Sequence, residues 1–185
     1  MKLGRFLFLL LGVLCLVSCK ESEKERIARL VNEWEGKEIL FPQNPIFTIQ
    51  GKDTVDFDFR DSEYKIVTYV DSAGCVGCKM QLELWNWFIK DLDSLSHGTV
   101  PICFTIHPED KREIQLLLKE KKFNYPVCLD FENDLFMLNK FPNHIMLQTF
   151  LLNKDNRVIV SGNPIHNLEI WDLYLDIICN KLNNN

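Results

Sequence analysis

The sequence predicts an α/β fold: a central mixed sheet with helices on both faces, preceded by an N-terminal helix and a β-hairpin appendage. Three observations predict it. From residue 64 onward, apolar runs of strand length alternate with stretches of helical period. The last two runs flank Asn153-Lys154-Asp155-Asn156, a composition that turns the chain back on itself as a hairpin. A chain of 185 residues, 46% hydrophobic and 25% charged, suits one domain with a proper core and leaves little room for a second.

Each element has its own signal. Ile27, Leu30, Val31 and Trp34 follow helical spacing over 22–36, and Ser22 with Glu25 forms a capping box at the start. Short apolar runs at 46–50 and 54–59 surround a turn at Gly51-Lys52-Asp53, the mark of a hairpin. Residues 64–70 read as a buried strand. Residues 79–95 read as a helix with Leu82, Trp85, Phe88, Ile89, Leu92 and Leu95 on one face, and Trp87 covering the other. A strand follows at 99–106. Pro108 fits the first turn of a helix reaching about residue 122 through Ile114, Leu117 and Leu118. A short strand at 125–129, a short helix at 132–141, strands at 147–152 and 157–161 and an amphipathic helix at 168–182 complete the order. Residues 141–146 carry a proline and no clear period.

The first segment reads as a targeting signal. Lys2 and Arg5 precede an apolar run of twelve residues, Phe6 to Val17. A membrane-spanning helix needs about 20 residues, whereas a secretory h-region needs 7–15. The run ends in Leu16-Val17-Ser18-Cys19, which resembles the lipobox of bacterial lipoproteins and implies lipidation of Cys19. The expected division is 1–18 signal peptide, 19–37 tether and helix, and 38–185 the folded domain. Removal of residues 1–18 takes away Lys2 and Arg5, leaving 19 basic against 26 acidic side chains, a net charge of -7. An acidic domain without a basic run is a poor partner for nucleic acid, so the acyl chains would hold it at the membrane. The expected location is the cell envelope, periplasm-facing or at the cell surface. Lys20 to Glu25 also loosely resembles the acidic export signals of Bacteroides-type surface lipoproteins.

Cysteine usage carries the chemistry. Of seven cysteines, Cys15 lies in the signal and Cys19 at the lipobox, leaving Cys75, Cys78, Cys103, Cys128 and Cys179. An odd number excludes a complete disulfide framework. Cys103 and Cys128 fall in core strands and Cys179 in an amphipathic helix, where a free cysteine acts as a small apolar residue. Cys75-Val76-Gly77-Cys78 follows a strand and a turn and opens a helix. Unpaired N–H groups and the positive dipole end of a helix stabilise a thiolate, which lowers the first cysteine's pKa. A three-residue offset keeps the second sulfur within disulfide reach. Cys75 is thus the attacking thiol and Cys78 the resolving one.

Residues 66–80 resemble the active-site region of thioredoxin, and Cys78-Lys79-Met80 matches that family's usual continuation. With the lipobox and the hairpin, the chain resembles the TlpA/ResA-type thiol-disulfide oxidoreductases, and in particular Bacteroides-type thioredoxin-like lipoproteins with a Gly-Cys-x-x-Cys-Lys motif. Residues 149–160 resemble the family's Thr-Phe-Leu-Ile-Asp-Lys-x-Gly-x-Ile hairpin, with Asn156 at the glycine. The resemblance implies a thioredoxin-like fold, no cofactor, and protein thiols and disulfides of the envelope as partners. The chain departs from the pattern at four further places. Gly74 replaces the usual tryptophan and Gly77 the usual proline. Leu147 stands where the family has its cis-proline, and a cis bond there would cost about 3 kcal/mol, so a trans bond is expected. Tyr69 stands at the family's buried acidic proton acceptor. Asp71, two residues on, shares its side of the strand if the strand continues, and is the candidate for the proton role; the alternative is that it caps the turn.

Three rival readings follow from the same residues. Structural zinc needs four ligands, and one Cys-x-x-Cys supplies two, with His97, His107, His144 and His166 scattered. A thiol peroxidase would place Ser72 three residues before its reactive Cys75, but Thr68 stands where an upstream proline belongs. The third reading is an interaction module that keeps the fold without the catalysis.

Overall fold

The computed structural model describes residues 21–71 and 80–182. Cys19, Cys75, Cys78 and the signal segment lie outside the described residues.

Helix α1 spans Glu23–Trp34 and opens on the expected capping box: the Ser22 hydroxyl accepts from the Glu25 N–H, and the Glu25 carboxylate accepts from the Ser22 N–H. Strands β1 (Phe47–Ile49) and β2 (Asp53–Val55) form the hairpin. Its turn places Gln50 and Gly51 at φ 52° and 69°, and a Cβ on Gly51 would lie 2.9 Å from Gln115 Cγ. Then come β3 (Tyr64–Val70), α2 (Leu82–Ser96), β4 (Ile102–Ile106), α3 (Lys111–Glu120), β5 (Val127–Leu129), α4 (Asp134–Asn139), β6 (Thr149–Asn153), β7 (Val158–Ser161) and α5 (Leu168–Leu182).

The strands make one seven-stranded sheet in the order β2-β1-β5-β4-β3-β6-β7. Strands β3, β4 and β5 run parallel, whereas β6, β7 and the N-terminal hairpin pair antiparallel. The appendage is therefore built into the sheet, because β1 pairs with β5. All seven residues of β3 are buried, as a strand with neighbours on both sides and helices on both faces requires.

Alternation along the strands splits the core into two layers. Ile66, Val70, Phe104 and Leu151 face Trp85, Phe88 and Leu92 of α2, Ile114 and Leu118 of α3, and Tyr174 and Ile178 of α5. Val67, Tyr69, Cys103, Cys128 and Phe150 face Trp34 of α1 and Leu135 of α4. Trp34 locks α1 down, with its ring 5.0 Å from Phe150 and 5.6 Å from Phe141.

Several boundaries and faces differ from expectation. The helix expected unbroken over 79–95 is interrupted: Met80 is helical, Gln81 adopts φ 39°, ψ 52°, and α2 begins at Leu82. Leu95 is exposed, because the 3.6-residue period carries the buried stripe from Leu92 to Ser96, whose hydroxyl donates to the Leu92 carbonyl at 2.7 Å. Trp87, expected to cover the opposite face, stands 63% exposed. Pro108 lies outside α3, since Asp110 caps that helix by accepting from the N–H groups of Arg112 and Glu113. Asn156 takes the left-handed conformation expected of it, φ 59°, in the β6–β7 turn.

Candidate functional site

Parallel β3, β4 and β5 end on the same side of the sheet, and the candidate site is what gathers there. The chain leaves β3 at Val70 and passes Asp71. Residues 72–79, which include Cys75 and Cys78, connect it to the buried Met80 and to α2. In the chain, the dithiol segment thus lies between β3, an interior strand of the sheet, and α2, one of the two 15-residue helices among the described residues. Neighbouring strands pin the end of β3: the His107 N–H donates to the Val70 carbonyl at 2.9 Å, and the His107 Nδ1 lies 2.8 Å from the Asp130 carbonyl.

On the other flank, β6 begins directly beside this end. Thr68 and Thr149 join hydroxyls at 2.8 Å, and the Tyr69 N–H donates to the Gln148 carbonyl at 2.9 Å. Leu147 is buried in a single 3-10 turn, Ile145–Leu147, with its N–H donating to the His144 carbonyl at 2.8 Å. The peptide bonds of the described residues are all trans. At this position the chain thus uses an N–H that a proline would lack. Beneath lies a cavity of about 10 Å³, lined by Thr68, Trp85, Gln148 and Asn163 among others; that is room for one water molecule.

Tyr69 and Asp71 divide the roles differently from a strand carrying one buried acid. Tyr69 is 3% exposed, packs between Phe136 and Phe141, and donates from its hydroxyl to Asn133 Oδ1 at 2.8 Å. Burial, reinforced by the negative charges of Asp71 and Asp130, pushes its phenol up to about 12. A group so placed stays neutral through the physiological range. Asp71 lies just beyond the strand and is half-buried. The Gln148 amide, 5% exposed, donates to Asp71 Oδ2 at 3.4 Å and to the Pro142 carbonyl at 3.3 Å. Gln148 is the residue that sequence reasoning missed; its position next to Leu147 was the available signal.

The remaining thiols are sequestered. Burial pushes the Cys103 thiol up to about 12 and the Cys128 thiol up to about 11, so neither supplies thiolate near neutrality. They face the same layer on adjacent strands, but the register sets Cys128 opposite Thr105, two residues past Cys103. Such a diagonal separates Cα atoms beyond the roughly 7 Å limit for a disulfide. Cys179 is half-buried on α5, less enclosed than expected of a core residue. Among the described residues no cluster of three or more His, Cys, Asp or Glu side chains is placed to hold a metal ion.

No protein-family model and no curated protein matches the chain. Solved structures do resemble it. The thioredoxin domain of a thiol-disulfide oxidoreductase from Bacteroides vulgatus aligns with a TM-score of 0.53 at 12% identity, over 75% of this chain and 96% of that one. A peroxiredoxin Q variant from Xanthomonas campestris aligns with a TM-score of 0.50 at 13% identity, over 72% of this chain and 88% of that one. These likenesses establish a thioredoxin-like fold.

Proposed function

We propose that the chain is an exported thiol-disulfide oxidoreductase, exchanging disulfides with thiol partners of the cell envelope through Cys75 and Cys78 and held at the membrane by lipid on Cys19. One observation carries the reading: in a thioredoxin-like sheet, the segment containing Cys75-Val76-Gly77-Cys78 joins the end of β3 to α2, whereas Cys103 and Cys128 are buried with raised pKa values. Among the described residues no helix is long and apolar enough to cross a membrane; in this reading the anchor is lipid on Cys19.

The proposed steps balance as follows. The Cys75 thiolate attacks one sulfur of a partner disulfide, forming a mixed disulfide and releasing one partner thiolate. Cys78 then loses its proton and attacks the Cys75 sulfur. The Cys75–Cys78 disulfide forms, the second partner sulfur leaves, and two electrons have passed to the partner. Run backwards, the same steps oxidise a dithiol. In this scheme Asp71 accepts the Cys78 proton, supported by its place next to the dithiol segment and the Gln148 amide bonded to its carboxylate. Asp71→Asn should then slow resolution of the mixed disulfide while leaving its formation intact; unchanged resolution in stopped flow removes Asp71 from the scheme.

The decisive experiment is a redox titration of the full chain in glutathione or dithiothreitol buffers, with alkylation and peptide mass shifts reporting each cysteine. A reversible two-electron transition confined to Cys75 and Cys78, with fast exchange on a model disulfide, is the expected result. A pair that never oxidises, or exchanges no faster than an unactivated thiol, leaves a binding module on a thioredoxin frame. The likeness to peroxiredoxin Q, with Ser72 three residues before Cys75, favours one second reading; rapid consumption of hydrogen peroxide by Cys75 would establish it in place of the first.

A further inference from the structure

A groove at the end of β5 has no role in the proposed exchange steps. Its cavity measures about 290 Å³. One wall is the loop entering β1, with Pro42, Pro45 and Ile46; the other is the segment leading into α4, with Phe131 and Glu132. Ile46 is 65% exposed and Phe131 44% exposed. Two large apolar side chains therefore flank an opening with room for a third.

The rim is acidic. Asp130 is already committed, its carboxylate accepting from the Asp134 and Leu135 N–H groups to cap α4. Glu132 and Asp134 are exposed, and among the described residues no basic side chain pairs with either. An apolar slot bordered by two unneutralised carboxylates fits an apolar side chain with a cationic neighbour, and repels nucleic acid and anionic lipid.

Its place in the fold gives the slot a use. The Asp130 carbonyl at its base is tied through His107 to the Val70 carbonyl, at the sheet end where the chain leaves β3 toward the dithiol. We propose that this groove docks a peptide segment of a redox partner in which an apolar residue is flanked by lysine or arginine. Its connection to redox chemistry rests on the reading above; the docking itself does not.

The test uses two fluorescein-tagged hexapeptides, one with a leucine between two lysines and one with glutamates in their place, titrated by fluorescence anisotropy against the full chain. Two exposed ion pairs imply about a five-fold preference for the lysine peptide. Glu132→Gln with Asp134→Asn should shrink that preference below about two-fold, and Ile46→Ser should weaken both peptides. Ile46 is exposed enough that its loss threatens no core packing. Equal binding of the two peptides to the parent chain, or a preference untouched by the double substitution, overturns the proposal. Cystine-containing versions of both peptides separate it from the dithiol reading. Charge-selective binding without exchange leaves the groove standing and removes the exchange; exchange without charge preference does the reverse.

Discussion

Tyr69→Phe separates the tyrosine's structural part from any part in proton transfer. The hydroxyl donates to Asn133 Oδ1 at 2.8 Å inside a site where the residue is 3% exposed. Deleting it removes one hydrogen bond, worth about 1 kcal/mol. The phenol also carries a pH dependence. Its folded pKa, raised to about 12 by burial, exceeds the unfolded value near 10. The stability it contributes is therefore fully present below pH 10 and lost as pH rises through 12. At pH 11 the linkage has removed about 1.4 kcal/mol. Urea melts should thus find the variant less stable by about 1 kcal/mol at pH 7.5, with the gap closed or slightly reversed at pH 11. Disulfide exchange between pH 6 and 8 should be unchanged, because a neutral phenol accepts no proton from Cys78. A three-fold or larger loss of exchange rate at pH 7 would refute the assignment of Tyr69 as a packing residue. A stability gap constant from pH 7.5 to 11 would refute the account of its burial.

Three further outcomes follow from the same structure. Trp34→Ala removes the one buried side chain of α1 and its contacts with Phe141 and Phe150; a loss of about 3–5 kcal/mol in urea melts is expected, with faster tryptic cleavage in α1, and a loss under 1 kcal/mol would mean the helix docks by other means. Leu147→Pro deletes the N–H that bonds the His144 carbonyl and should cost about 1–3 kcal/mol, so a variant as stable as the parent would show that the turn accepts the family's residue without loss. Native alkylation at pH 8 should modify Cys103 and Cys128 at least about 100-fold more slowly than Cys75, given thiols held near 12 and 11 by burial, and comparable rates, read by peptide mass shifts, would contradict their sequestration.

The parts of the fold legible in sequence are those where one local rule acts alone. The bounds of β3 and α5 agree with the sequence reading because a run of β-branched and aromatic residues and a helical stripe each favour one structure. Asn156 was legible because few residues tolerate its conformation. Elsewhere two rules competed. At the end of α2, hydrophobicity pointed to Leu95, but the helical period placed Ser96 inward, where bonding to the Leu92 carbonyl satisfies its hydroxyl. At α3, proline's preference for a first turn lost to the Asp110 cap. Residues 141–146 resisted reading because they run into the 3-10 turn Ile145–Leu147, which has neither strand nor helix period.

At the candidate site, sequence reading proposes residues but cannot see their contacts. Gln148 meets Asp71 across 77 residues of chain, and only pairing β6 beside β3 brings them together. That pairing also bears on which carboxylate could serve the dithiol in the proposed scheme. A carboxylate at position 69 would stand between Phe136 and Phe141 with the charges of Asp71 and Asp130 close by, where burial and like charge would both oppose ionisation. The chain instead carries a neutral phenol there and sets its acid one step beyond the strand. A half-buried position reaches solvent, and the Gln148 amide holds the carboxylate in place. The proton-accepting role proposed for Asp71 requires its main effect to fall on the rate at which Cys78 resolves the mixed disulfide, and single-turnover kinetics of Asp71→Asn that leave resolution unchanged would remove it.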